Sequence, residues 1–151
     1  NDLNSMLGDV YHATKQYAKS DQLFEECLAV NPNNVTVLNN YSYYLALRKT
    51  NLEKAEKMAA QLVKSNPDNA TYLDTYAWVL YAAGKYKEAK RIIERAVNVS
   101  KPSATHVEHF GDILFKLGDV DGAVVQWEKA RGLNGNQDSL NRKIENRKVY
   151  E

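Results

Sequence analysis

Between Leu73 and Ala96 the chain reads LDTYAWVLYAAGKYKEAKRIIERA, and its apolar positions recur at helical spacing twice over. Tyr76, Leu80 and Ala83 fall on one face of a first helix, and Ala89, Ile92, Ile93 and Ala96 on one face of a second. Gly84-Lys85 interrupts the pattern as a helix-ending glycine does. Two amphipathic helices this short cannot bury all their apolar surface in each other, so the pair requires neighbours of the same kind.

Those neighbours are present. The small residues Ser20, Ala55, Ala89 and Ala123 are spaced by 35, 34 and 34 positions. Tyr17, Leu52, Tyr86 and Val120, three positions earlier, keep the same steps, and Cys27, Leu62, Ala96 and Ala130, seven beyond, are all apolar. In the first helices, Leu7, Tyr41, Tyr76 and Phe110 step by 34, 35 and 34. So do Gly8, Ser42, Ala77 and Gly111, and Tyr11, Leu45, Leu80 and Leu114. The extra residue therefore enters the second copy between Leu45 and Leu52, in the turn Arg48-Lys49-Thr50-Asn51. A column of Gly, Ser or Ala lets a neighbouring helix approach closely, and the large columns fill the space beside it.

The periodicity predicts eight helices at about 2–14, 18–30, 35–48, 52–65, 69–83, 86–99, 103–117 and 120–132. Asn31-Pro32-Asn33-Asn34 and Asn66-Pro67-Asp68-Asn69 break the chain between pairs, with proline at a helix start and Asn or Asp as caps. After Gly132-Leu133-Asn134-Gly135 it restarts as a ninth helix, Ser139 to Tyr150. Leu140 and Ile144 are expected to face inward, with Arg142, Lys143, Glu145, Arg147 and Lys148 in water, the polar back of a terminal cap. The basic character of this cap also admits an interaction tail.

These columns resemble the tetratricopeptide repeat, whose 34-residue signature runs Leu-Gly-x-x-Tyr, then Ala, Phe and Pro. The first copy keeps Leu7-Gly8, Tyr11, Phe24 and Pro32, with Ser20 in place of the alanine. The second keeps Ala55 and Pro67, the third Gly84, Tyr86 and Ala89, and the fourth Gly111, Gly118 and Ala123. The signature tryptophan is missing from all four, and the closing proline is shifted to Pro102 in the third copy and absent from the fourth. The resemblance implies an all-α, right-handed solenoid of four helix-turn-helix repeats, at about 1–34, 35–69, 70–103 and 104–137, with a capping helix at about 138–150. One domain of 151 residues is expected, as a fragment of a longer protein, because the chain opens on Asn1 and its first helix pair has no cap.

Composition narrows the function classes. Twenty basic and 19 acidic residues give a formal charge of +1, which offers no bulk electrostatic case for nucleic acid. No apolar run approaches the ~18 residues of a membrane span. The single Cys27 cannot form an internal disulfide and sits in a small, helical context that favours burial. His106 and His109 are neighbours on a helix, but two imidazoles are too few for a zinc site and His12 and Cys27 are remote. Glu25-Glu26 and Asp119-Asp121 lie on a flank and in a turn, without a pocket for carboxylate catalysis. No phosphate-binding glycine loop is present. The expectation is a protein that is not an enzyme, with no catalytic, cofactor-binding or metal residues. Asn34-Val35-Thr36, Asn40-Tyr41-Ser42, Asn69-Ala70-Thr71 and Asn98-Val99-Ser100 match the glycosylation pattern, a weak signal in an asparagine-rich chain.

In proteins this chain resembles, the first helix of each pair lines a concave surface. That implies a partner groove of Asp9 and His12, then Asn39 and Tyr43, then Asp74, Trp78 and Tyr81, then Glu108, Asp112 and Phe115, with Ser5, Ala46, Leu47 and Lys116 beside them. Aromatic rings flanked by carboxylates suit an extended peptide or helix carrying apolar and basic residues. Members of the family that act as chaperone adaptors grip a C-terminal carboxylate through two lysines, an arginine and two asparagines. The matching positions here are Ser5, Asp9, Asn40, Thr71 and Thr75, of which Asn40 alone fits, and Asp9 would repel the carboxylate. The rival readings are self-assembly, a spacer module continued by repeats upstream, and, more remotely, a metal-dependent enzyme around His106 and His109. Resemblance to multi-repeat bacterial proteins sets the expected location at the cell envelope, with the cytoplasm as the alternative.

Overall fold

Nine α-helices follow one another without an intervening strand in the computed structural model, which describes residues 2–99 and 101–150. They are α1 (Asp2–Ala13), α2 (Tyr17–Val30), α3 (Val35–Arg48), α4 (Leu52–Ser65), α5 (Ala70–Ala82), α6 (Tyr86–Val99), α7 (Ala104–Lys116), α8 (Val120–Gly132) and α9 (Gln137–Asn146). Asn1, the chain's opening residue, and Ser100, the last residue of one glycosylation pattern, lie outside the described residues. The architecture is an all-α helical-repeat solenoid: α3, α5 and α7 each pack on their even-numbered partner and on the pair before, and α9 packs on α8. No described helix is long and apolar enough to cross a membrane.

Local chemistry sets the helix ends. Side chains of Asn34, Asn69, Ser103, Asp119 and Asn136 accept hydrogen bonds from the backbone N–H three residues on, satisfying donors that a helix start leaves open. Each first helix ends where the residue four past the Tyr11, Leu45, Leu80, Leu114 column takes positive φ: Lys15 (62°), Lys49 (52°), Gly84 (78°) and Gly118 (89°). The carbonyl of each column residue then accepts from the N–H five residues on, at 2.7–3.1 Å, which closes the turn. In the second pair one more residue follows, and a second left-handed residue, Asn51 (φ 46°), absorbs it before α4 begins.

The small columns work as close-approach points. Ser20, Ala55, Ala89 and Ala123 are fully buried, and the Ser20 hydroxyl donates to the Gly8 carbonyl at 2.7 Å. A Cβ added at Gly8 would lie 2.6 Å from the Phe24 ring, and one added at Gly111 would lie 2.5 Å from the Trp127 indole. Sixteen residues also separate Ser42 from Met58 and Ala77 from Ile93, so the two glycines accompany the two aromatic rings while serine and alanine accompany smaller side chains. Three apolar clusters built from these columns lie in succession along the solenoid.

The last helix differs from expectation. It starts earlier because Asn136 caps it, and it stops at Asn146 because Arg147 turns left-handed at φ 52°. Leu140 seals the third cluster, and beyond Arg147 the chain folds back so that Val149 packs on the same cluster. Lys143, expected in water, is only 7% exposed. Its side chain runs inward, for a reason that the inner surface supplies.

Candidate interaction groove

Helices α3, α5, α7 and α9, with the turned-back 149–150 segment, enclose a groove of about 430 Å³. Its lining includes Tyr43, Ala46 and Leu47 from α3, Trp78, Tyr81 and Ala82 from α5, and Glu108, His109 and Asp112 from α7. Lys49, Lys143, Val149 and Tyr150 complete the lining. The sequence places these groups together because side chains three and four positions apart share a helix face, and the stacking of pairs brings equivalent faces into one row.

A row of polar contacts, each about one repeat long in sequence, runs along the inner helices. Asn40 Nδ2 and the Tyr44 hydroxyl donate to Asp9, at 3.2 Å and 3.1 Å. The Thr75 hydroxyl donates to Asn39 Oδ1 at 2.6 Å. His109 Nδ1 lies 2.8 Å from Asp74 Oδ1, and His106 Nε2 lies 3.9 Å from the other oxygen of the same carboxylate. Within the fourth pair, and outside this row, the Trp127 indole N–H donates to Asp112 at 3.0 Å. Across repeats, Lys143 Nζ donates to Glu108 at 2.6 Å and to both oxygens of Asp112, at 3.0 Å and 3.2 Å. These bonds clamp each inner helix to the next. They also explain Lys143: α9 lays its ammonium between the half-buried Glu108 and Asp112, the second of which would otherwise be buried without a counter-charge.

The electrostatics follow from this pairing. Burial opposes a charge on His109, but the adjacent Asp74 carboxylate and its hydrogen bond outweigh burial and raise the imidazole pKa. Burial lowers that of His106, against a weaker pull from Asp74. Burial raises the Asp112 carboxyl despite Lys143, and the Tyr44 hydroxyl is pushed to about 12 by burial and by Asp9.

The aromatic part of the groove is built on Trp78. Its ring stacks on Tyr81 (centroids 4.4 Å apart, planes at 5°) and on His109 (3.9 Å, 18°). Tyr81 also meets Tyr86 edge-on at 5.5 Å.

The residues expected to form the groove separate into two sets. Tyr43, Trp78, Tyr81, Glu108 and Asp112 line it, although Tyr81 and Asp112 are buried at 7% and 4% exposure. Asp9, His12, Asn39, Asp74 and Phe115 are not among its lining residues. Asp9, Asn39 and Asp74 serve the inter-helix row, His12 stacks on Tyr44 at 3.8 Å, and Phe115 packs in the third cluster near Trp127. Asn40, the one residue compatible with a carboxylate grip, gives its amide to Asp9. Sequence reading missed Lys143, His109, Tyr44 and Tyr150 as inner-surface residues. One signal was available: Asp74–His109 and Glu108–Lys143 are both 35 apart, one repeat, with opposite charge character.

The sequence matches the family model described as "Anaphase-promoting complex, cyclosome, subunit 3" over residues 48–130, more than half of the chain. It matches the model described as "Tetratricopeptide repeat" over residues 2–34. No curated protein matches it. Among solved structures it is similar to a tetratricopeptide repeat protein from Parabacteroides merdae ATCC 43184 at 20% identity and a TM-score of 0.81, covering 95% of this chain and 56% of that one. It is also similar to MamA AMB-1 (20% identity, TM-score 0.73, covering 88% of this chain and 78% of that one). Pseudomonas aeruginosa pilF is similar at 20% identity and a TM-score of 0.76, covering 89% and 61%. The chain thus spans little more than half the length of the Parabacteroides protein. At such identities the likeness is one of fold.

Proposed function

This chain belongs to the tetratricopeptide-repeat family, and from that premise we propose that it is a non-enzymatic protein-interaction scaffold whose inner groove holds a peptide or helix of another protein. The observation that carries the reading is the open 430 Å³ groove on the inner helices, walled by Tyr43 and by the Trp78–Tyr81 stack. Aromatic side chains offer much contact area at little conformational cost, and a groove held by helix-to-helix clamps loses little freedom when it is filled. Volumes of roughly 300–1,000 Å³ are usual for binding sites, so this groove takes a few side chains of a partner segment.

Selection of a random peptide library on the purified chain tests the reading. Peptides enriched on the wild type are expected to bind the Trp78→Ala/Tyr81→Ala variant at least ~10-fold more weakly, the loss of ~1.4 kcal/mol or more that removal of two interface aromatics entails. Equal binding by a variant of unchanged helicity would remove the groove from the proposal.

A second reading rests on α1. Leu3, Met6, Leu7 and Val10 fall at helical spacing, and all four are exposed, Leu3 and Met6 at 63%. The same columns in later repeats include Val37, Tyr41, Val79 and Ile113, which neighbouring helices bury. This face therefore resembles one side of a helix–helix contact, through which the chain self-associates. Light scattering from micromolar to millimolar concentration checks it: a mass that rises with concentration, and that Leu3→Glu/Leu7→Glu holds at the monomer, supports it. A constant monomer mass eliminates it.

A further inference from the structure

The carboxylates of the inner surface are already partnered. Asp9 accepts from Asn40 and Tyr44, Asp74 from His109, and Glu108 and Asp112 share Lys143. Among the described residues, a lysine or arginine of a partner would therefore meet no unpaired acid there, and would have to leave water to compete with Lys143. The charges at the groove are paired within the protein: Lys143 with Glu108 and Asp112, and His109 with Asp74.

Two of the rings are already taken: Tyr150 carries Arg142 and Lys148 over its ring, 4.3 Å and 5.0 Å from the centroid, and Trp78 is stacked. A cation needs an open ring face, with its charge over the centroid. Trp78 has parallel rings stacked on it at 4.4 Å and 3.9 Å, from Tyr81 and His109, so its faces are taken. What the groove presents instead is an apolar lining of Ala46, Leu47, Ala82 and Val149 beside the rings of Tyr43, Trp78 and Tyr81. A further aromatic ring pairs with such rings in the offset-stacked or edge-to-face arrangements that aromatic pairs favour.

We propose that the groove between α3, α5 and the 149–150 segment is a receptor for one uncharged aromatic side chain of the partner segment, a phenol or an indole, and not for a basic one. This rests on the scaffold reading above and narrows it: acids that are already paired select against Lys and Arg, and a lining of aromatic and small apolar side chains selects for a flat apolar guest.

Isolated amino-acid amides test the site without knowledge of the partner. N-acetyltryptophanamide, N-acetyltyrosinamide and N-acetylargininamide are titrated into the ¹⁵N-labelled chain, with the Trp78 indole N–H and the Ala82 amide as reporters. The aromatic amides are expected to shift both signals saturably. The arginine amide is expected to bind at least ~10-fold more weakly. Leu47, 48% exposed, tolerates change, so Leu47→Trp is expected to fill the groove and abolish the aromatic shifts without altering the rest of the spectrum. Shifts that are equal or stronger with the arginine amide overturn the proposal, as do the absence of shifts with every probe and aromatic shifts that persist in Leu47→Trp. The scaffold reading fails separately: library peptides that need Trp78 and Tyr81 but carry basic anchors would leave it standing while ending this one. Aromatic amides that bind where no peptide does would do the reverse.

Discussion

Replacing Lys143 with methionine is expected to destabilise the protein by about 3–5 kcal/mol, the usual cost of leaving a buried charge without its partner. Methionine keeps the length and the apolar stem but removes the ammonium. Among the described residues, Asp112, 4% exposed, would keep only the Trp127 N–H as a side-chain donor, and Glu108 only the Ser139 hydroxyl at 3.3 Å. Set against a total stability of roughly 5–15 kcal/mol, such a loss is large. It also has a sign with pH. Asp112 already has a raised carboxyl pKa from burial, and without Lys143 that pKa rises further. A folded carboxyl pKa above the unfolded one means that the native state holds the proton more tightly. Stability is then greatest below the unfolded pKa and falls as pH climbs to the folded one. The variant should therefore lose most at neutral and alkaline pH and recover part of the loss in mild acid. Urea denaturation at pH 5 and pH 8 checks it, with Lys143→Met/Asp112→Asn as the companion. The double variant should be more stable than Lys143→Met alone, since an amide needs no counter-charge. A Lys143→Met midpoint within error of the wild type at both pH values would show that the clamp contributes nothing.

Trp127→Ala should be comparably severe, at about 3–5 kcal/mol, because a fully buried aromatic ring leaves a cavity that the surrounding helices only partly close. The reciprocal change is more informative. In a helix interior, alanine is favoured over glycine by about 0.5–1 kcal/mol, yet Gly111→Ala is expected to destabilise by about 1–3 kcal/mol. The new methyl would meet the indole at 2.5 Å and the Ala123 carbonyl at 3.1 Å, and the ring is held by Asp112. Combining Gly111→Ala with Trp127→Ile recreates the pairing of Ala77 with Ile93, and should be better tolerated than Trp127→Ala by ~1 kcal/mol or more. Thermal and urea melts of the four proteins decide it. A stabilised Gly111→Ala would mean that helix propensity outweighs the close approach.

Both predictions draw on contacts with different visibility in the chain. Gly111 and Trp127 could be related from sequence, since Gly8 and Phe24 stand at the same separation of sixteen and the repeat fixes which columns face each other. The location of the helices was legible for the same reason: α3 and α4 begin and end where the periodicity and the capping residues place them. Lys143 was not legible. On a helical wheel it lies between inward Leu140 and outward Arg142, and a long amphipathic side chain can turn either way from that position. Its direction depends on Glu108 and Asp112, which belong to another helix. Asp9, Asn39 and Asp74 misled in the same way. Register put them on the inner helices, but which polar group each would meet depends on the rise and rotation from one pair to the next.

The amino-acid sequence by itself therefore determined the repeating parts of this protein: helix pairs, their turns, the small columns where helices touch and the large ones that fill between. Those features are set by contacts within a pair or by a period of 34 or 35, and both can be read along the chain. Only the tertiary structure decided which inner-surface groups are already paired with one another. Hydrogen bonds and ion pairs between repeats act over a few ångströms and join residues 31–36 positions apart. A small rotation between pairs decides whether a carboxylate such as Asp112 faces the groove alone or already holds a lysine.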